Sequence, residues 1–212
     1  MKLSWLGHAS FLLETNQGTK IITDPYESGG YDGAVAYGPI DLEADIVTVS
    51  HQHADHNHIQ PFKMAKIVDK AETFNFKDVK IEGLNSYHDA KGGKLRGENI
   101  IFTIAVEGLK VVHFGDLGTE DIEYFKFQNI DIVLIPVGGT FTLDSEAASR
   151  VIDKINPKVT IPMHFKTSKL EFDIDRVDEF LKGKEYEKKD VLEVNSQSVG
   201  LFKKFVLLNH QR

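Results

Sequence analysis

Cysteine is absent from the 212-residue chain. That excludes disulfides, cysteine nucleophiles and thiolate metal ligands, so any metal site must be assembled from histidine and carboxylates. Long hydrophobic runs are missing too, and no stretch approaches the ~20 apolar residues of a membrane span. The opening MKLSWLGHAS has one lysine, but Ser, Gly and His break up its apolar residues, so it does not read as a signal peptide. Both features lead us to expect a cytoplasmic protein with no membrane partner. Positive charge is in deficit: 25 Lys and Arg face 32 Asp and Glu, a net charge of −7. Non-specific affinity for nucleic acid needs a basic field, so this balance argues against such a partner and for a small-molecule substrate. Oligomeric state leaves no signal in the sequence.

What is present fits an ordinary globular chain, with 41% hydrophobic and 27% charged residues. The length suits one large α/β domain, and with no linker or low-complexity segment we expect a single domain over 1–212. Lys2–Leu6, Phe11–Thr15 and Lys20–Thr23 read as strands parted by turn chemistry, GHAS and NQGT. Residues 25–44 form a loop rich in Gly and Tyr, of a length that is often functional. ADIVTVS, AKIVD, VKIEGLNSY, IDIVLIPVGG and VTIPMHF are strand patterns, and IIFTIAVEG with LKVVHFG makes a hairpin turning near Glu107–Gly108. TEDIEYFKFQ reads as a short amphipathic helix, and Asp144 is placed to cap a helix over SEAASRVIDKI. Ile174–Leu181 reads as another helix, and 189–205 as closing β-structure. Sheet-rich halves with helices outside predict a four-layer α/β/β/α sandwich.

The informative stretch is SHQHADHNH at 50–58, which packs four histidines and an aspartate into nine residues. Crowded imidazoles repel when protonated and are costly to bury unpartnered, but neutral imidazole is the commonest metal ligand. If the chain is still extended at His51, then His51 and His53 point to one side and can converge on one ion. Asp55 and His56 follow where the chain turns, into an expected short helix before Pro61, and can serve a second ion. Three further candidates sit at strand ends: His88, Asp116 and His164. The total of five His and two Asp is about what two ions need at ~4 protein ligands each with water between them. Asp116 is the natural bridge, because a carboxylate has two oxygens to share.

HQHADH, the Asp of HFGD and the His of IPMHF, in this order, resemble the metallo-β-lactamase superfamily. WLGHASFLL and the Asp-Pro at the third strand make the narrower resemblance to the branch of ascorbate-6-phosphate lactonase and N-acyl-phosphatidylethanolamine phospholipase D. The likeness runs from Trp5 to His164. It implies that His51, His53 and His88 hold one metal, that Asp55, His56 and His164 hold a second, and that Asp116 bridges them. Asp24 would hold the histidine loop in place rather than ligate. His8 lies beside the site, in either a catalytic, substrate-facing role or a supporting one.

The cofactors expected are two divalent ions, zinc first, with manganese, iron or nickel compatible with the same donors. The function expected is hydrolysis by a metal-bound hydroxide, with Asp55 helping to orient it, on a small phosphorylated or lactone-type metabolite. A phosphodiesterase or nuclease acting on nucleotides or RNA is the alternative, and a non-catalytic metal-binding sensor or scaffold is a second. Arg96, Asn99 and Thr140 are candidate substrate contacts, the last through the backbone amides of Gly138–Thr140. His58 is expected on an exposed helix, His113 in the core, and His210 in the tail.

Overall fold

The computed structural model describes residues 1–212. The first sheet is built from β1 (Lys2–Gly7), β2 (Ser10–Glu14), β3 (Lys20–Thr23), β4 (Ile46–Thr48) and β5 (Lys66–Val68). The first three pair antiparallel, and β3, β4 and β5 run parallel. The second sheet begins with β6 (Thr73–Phe76), β7 (Val79–Tyr87), β8 (Glu98–Val106) and β9 (Leu109–His113), again antiparallel. It continues in parallel through β10 (Ile132–Pro136) and β11 (Val159–Met163). Late in the chain β12 (Tyr186–Lys189) and β14 (Phe205–Leu208) extend the second sheet, while β13 (Val191–Glu193) crosses to the edge of the first. The expected closing β-structure is therefore shared between both sheets.

Each sheet thus has an antiparallel meander followed by parallel strands. The pairing makes β1, β3 and β4 run the same way in one sheet, and β7, β9, β10 and β11 in the other. The strands of the central parallel run, β10 and β11, are buried at every position, as the unbroken apolar patterns IVLIP and VTIPM require. A 44-residue apolar cluster spans the inner faces and the helical side of the second sheet.

The helices are α1 (Ser145–Ile155) and α2 (Val177–Leu181). Asp144 caps α1 through Ala147 N–H at 2.8 Å, and Asn156 ends it in a left-handed turn. The α/β sandwich expected from the sequence is present, but the outer layer on the first sheet is coil. Tyr26, Val35, Tyr37, Ile40 and Phe62, from the loops after β3 and β4, cover it as a second apolar cluster.

Four local expectations change. TEDIEYFKFQ forms only a 3-10 turn at Tyr124–Lys126, because Phe127 leaves the helical path to pack on Phe114, ring centroids 5.7 Å apart. No helix precedes Pro61: His58 N–H bonds to Pro25 O at 2.8 Å, which holds that segment as loop and leaves His58 half-buried there. The second helix starts at Val177 rather than Ile174, since Asp175 N–H is spent on Gly138 O. β6 is an added strand: Thr73–Phe76 alternates polar and apolar, and Phe74 and Phe76 pack against the core.

Candidate metal centre

The parallel directions of the two sheets bring one set of strand ends to one edge of the sandwich, where α/β folds place their chemistry. His8 follows β1, Asp24 follows β3, and His51–His56 follow β4. From the other sheet, His88 follows β7, Asp116 follows β9 and His164 follows β11. β4 ends at Thr48, so strand alternation does not aim His51 and His53. A bend over 51–56 does, closed by His56 N–H to His53 O at 2.9 Å.

The nitrogens of His51, His53 and His88 that can ligate lie within 4.8 Å of one another. Those of His8, His56 and His164 and an oxygen of Asp55 form a second such group. Asp116 lies between them. Its Oδ2 is 3.1 Å from His164 Nε2, 3.2 Å from His88 Nε2, 3.3 Å from His56 Nε2 and 3.9 Å from His51 Nε2. All seven residues expected as ligands therefore converge.

The buried nitrogens His51 Nε2 and His56 Nε2 and the oxygen Asp116 Oδ1 have no hydrogen-bond partner. Such groups are costly to bury unsatisfied. Cations held by the two groups would satisfy all three, so this donor set fits divalent ions held by nitrogen and oxygen. The electrostatics agree. Asp24, Asp55 and Asp116 are all buried. Burial works to raise the Asp116 carboxyl, yet His164 and His56 hold it well below the usual range. Burial likewise opposes ionisation of Asp55, and His56 and His8 overcome it. Burial lowers His51 to about 3, with His56 adding to it, and lowers His8 to about 4, helped by His164. His56 goes the other way: burial opposes its charge, but Asp116 and Asp55 raise it well above normal. A proton there occupies a place where three carboxylates call for positive charge.

Supporting contacts fix the cluster. Asp24 accepts from Ser50 N–H at 2.8 Å and pairs with His56 Nδ1 at 3.0 Å, leaving His56 Nε2 free toward Asp116. Ser50 Oγ donates to Asp24 and lies 2.9 Å from His51 Nδ1. Phe141 O accepts from His88 Nδ1 at 3.0 Å. Such partners orient imidazole ligands. Asp24 thus orients rather than faces the convergence point. His113 is fully buried and bonds Ala9 O at 2.8 Å through Nε2, a core residue tying the two sheets together.

His8 is fully buried and faces Asp55, with Nε2 3.0 Å from Asp55 Oδ2. It does not line the open cleft, which corrects the substrate-facing expectation. His8, Asp24 and His164 have φ of 53°, 38° and 50°, left-handed values that cost an ordinary residue ~1–3 kcal/mol and concentrate at functional sites. Trp5 Nε1–H and His164 N–H both donate to His8 O, locking two of these turns together.

A cleft of about 450 Å³ opens over the cluster, with His53, Asp55, His88, Asp116 and His164 on its floor. Arg96, Tyr31, Phe141 and Phe172 form its walls. Arg96 is where the sequence placed a substrate contact. Asn99 is not: it is buried, donating to Ser86 Oγ and Phe114 O and accepting from Asp116 N–H, so it shapes the Asp116 turn. Thr140 is exposed outside the cleft, and its neighbour Phe141 reaches in instead. Gly138–Gly139 is no anion cradle, because Gly139 N–H is bonded to Leu143 O and the Asp175 carboxylate lies beside it. Tyr31, Phe141 and Phe172 were missed, though the 25–44 loop that carries Tyr31 was marked by its length and glycines. A slightly larger groove of about 500 Å³ beside Lys20, Asp45 and Met64 holds no cluster of ligating side chains.

Residues 2–164 match the family model of the beta-lactamase superfamily domain. A UPF0173 metal-dependent hydrolase of Thermococcus kodakarensis is 30% identical, over 79% of this chain and 85% of the relative. One from Methanosarcina mazei is 31% identical, over 84% and 87%. Among solved structures, a protein of Thermotoga maritima assigned as a Zn-dependent hydrolase of the metallo-β-lactamase superfamily is 36% identical with a TM-score of 0.80, over 99% of both chains. A metallo hydrolase of Ignicoccus hospitalis shares the fold, with 20% identity and a TM-score of 0.67 over 99% of this chain and 94% of its own. These likenesses establish the superfamily and do not single out the ascorbate-6-phosphate lactonase branch. With two sheets bringing histidines and aspartates to one edge, and a family model spanning most of its length, the chain belongs to the metallo-β-lactamase superfamily and, within it, to the UPF0173 metal-dependent hydrolases.

Proposed function

We propose that this protein is a binuclear metal-dependent hydrolase of small esters or lactones. The observation that carries the reading is the position of Asp116, whose one carboxylate stands within 4 Å of imidazoles from both ligand groups. His51, His53 and His88 would hold one ion, Asp55, His56 and His164 the other, and Asp116 both. Two such ions, zinc in our reading, supply the acidity that makes water a nucleophile near neutral pH and polarise the bond to be cleaved. The chain's own part is positioning. His8 and Tyr31 fix the Asp55 carboxylate from two sides, at 3.0 and 3.2 Å. Asp24 and Ser50 fix the histidine bend. The rings over the floor limit the entry of bulk water.

Arg96 is the one side-chain cation on the cleft walls. This favours a small acyl substrate over a polyanionic strand, which needs a basic track. The test is hydrolysis of 3,4-dihydrocoumarin and of bis(p-nitrophenyl) phosphate by metal-loaded protein, chelator-stripped protein and Asp116→Ala. Lactone turnover that disappears on stripping, and falls by about 10³-fold or more in the variant, is expected for a group acting on the reacting centre. Unimpaired turnover by Asp116→Ala would overturn the binuclear reading. Faster cleavage of the phosphodiester would move the substrate class.

A further inference from the structure

We infer that the substrate has a planar apolar body, received by Tyr31, Phe141 and Phe172, and one carboxylate, received by Arg96. This rests on the hydrolase reading above and names the substrate class of the same site.

Three separate loops deliver the rings. Phe172 stands edge-on to Tyr31, centroids 5.4 Å apart, and to Phe141 at 6.1 Å. The three form one continuous wall. Tyr31 is 50% exposed and Phe141 37%, so the free protein presents this apolar surface to water. A contiguous exposed apolar patch in a cleft is characteristic of a binding site. The Tyr31 hydroxyl is already committed to Asp55. The remaining polar lining is Arg96 and the ligand residues themselves. Nothing is left over to pair with the hydroxyls of a sugar or the polar edge of a nucleobase, and buried polar groups without partners are penalised. The wall therefore suits an aryl or compact alkyl group.

Arg96 has no carboxylate within 4.0 Å, although the chain carries many acidic residues; its guanidinium lies over the Phe141 ring at 5.5 Å. Its loop is held from below. Asp89 accepts from the backbone N–H groups of Lys91, Gly93, Leu95 and Arg96 at 2.7, 3.2, 2.9 and 2.8 Å. An ordered loop thus carries an unpaired guanidinium to the rim of an apolar cleft. The planar fork matches one carboxylate in a two-bonded geometry. Arg96 is the one side-chain cation of the cleft wall, so a single carboxylate meets its charge one to one. In the reaction, water oxygen bonds to the acyl carbon and the acyl C–O bond breaks. The released alkoxide takes one proton of that water, and the new acid gives up the other.

Binding of amide analogues separates recognition from turnover. The metal-loaded protein is titrated calorimetrically with 4-acetamidobenzoate, with acetanilide, which lacks the carboxylate, and with acetylglycine, which lacks the ring. We expect the first to bind about 10-fold or more tighter than either of the others, the scale of one charged hydrogen-bonded contact. Arg96→Gln should remove the advantage over acetanilide, and Phe172→Ala the advantage over acetylglycine. Equal binding of all three, or an advantage untouched by Arg96→Gln, would overturn the inference; the latter would mean that the carboxylate goes to the ions. Hydrolysis of the ester counterpart, 4-acetoxybenzoate, is scored separately. Selective binding without ester hydrolysis would overturn the hydrolase reading and leave this recognition standing. Dihydrocoumarin turnover with no selectivity among the analogues would do the reverse.

Discussion

At the scale of single residues, the site is governed by where buried charge is allowed to rest. Asp24 touches no cleft, yet its two oxygens hold Ser50 and His56. Burial alone would raise its carboxyl, but His113 and His56 keep it below the usual range. It therefore stands as an anion behind His56, holding the Nδ1 proton and presenting Nε2 forward. Asp24→Asn keeps the volume and removes that charge. We expect its metal affinity to fall by about 10- to 100-fold, as for other partners of ligating histidines, measured by chelator competition. Unchanged metal affinity would show that Asp24 serves the fold and not the metal.

At the scale of elements, the ends of strands matter more than the strands. Asn99 on β8 bonds Ser86 on β7, Phe114 O and Asp116 N–H after β9, and so holds the turn that presents Asp116. Gly115 within that turn has φ +54°, and an added Cβ would run into Asn99 and Ser50. Asn99→Ala leaves several buried groups unpaired, each costing ~1–3 kcal/mol, so a loss of about 3 kcal/mol is expected in urea unfolding. Asp144→Ala removes one exposed-end cap from α1 and should cost only about 1 kcal/mol in the same experiment. Equal losses would mean that the Asn99 network is not coupled to the core as its burial implies.

At the scale of the molecule, the candidate ligands come from both sheets. Metal binding therefore clamps the sandwich along one edge, and ions bound only by the folded state raise its stability by linkage. Stripping the ions should lower Tm and should speed amide exchange first in the loops after β4 and β9. The stripped protein should also be acid-sensitive. Burial lowers His51 to about 3 and His8 to about 4, and it also lowers His53 and His113. In the unfolded chain these groups titrate near ~6.5, so below that pH the unfolded state binds more protons and stability falls as pH drops toward the folded values. His56 opposes this: its raised value contributes stability that is full below ~6.5 and is lost as pH rises through the folded value. Four groups outweigh one, so calorimetry of the stripped protein should give a lower Tm at pH 5 than at pH 7. A higher Tm at pH 5 would show that His56 dominates.

Much of this was legible in the chain. Absent cysteine restricted the donors to His and carboxylates, and HQHADH with His88, Asp116 and His164 marked seven residues that do converge. Runs such as IVLIP read as buried strands, because an unbroken apolar pentapeptide has no face to show to water and its β-branched residues favour extended backbone. Side-chain roles were less legible. The spacing of His51 and His53 suggested strand alternation, but a bend aims them, since β4 stops at Thr48. Asn99 and Thr140 looked available for substrate, whereas burial committed one to the Asp116 turn and the other lies outside the cleft lining. Tyr31, Phe141 and Phe172 are unremarkable in sequence, being more than a hundred residues apart at the extremes. They become a wall only when three loops meet at one edge. Local pattern determines residue chemistry and strand burial through short-range periodicity. Which side chains share a cleft depends on contacts between distant segments, and only the tertiary structure decided it.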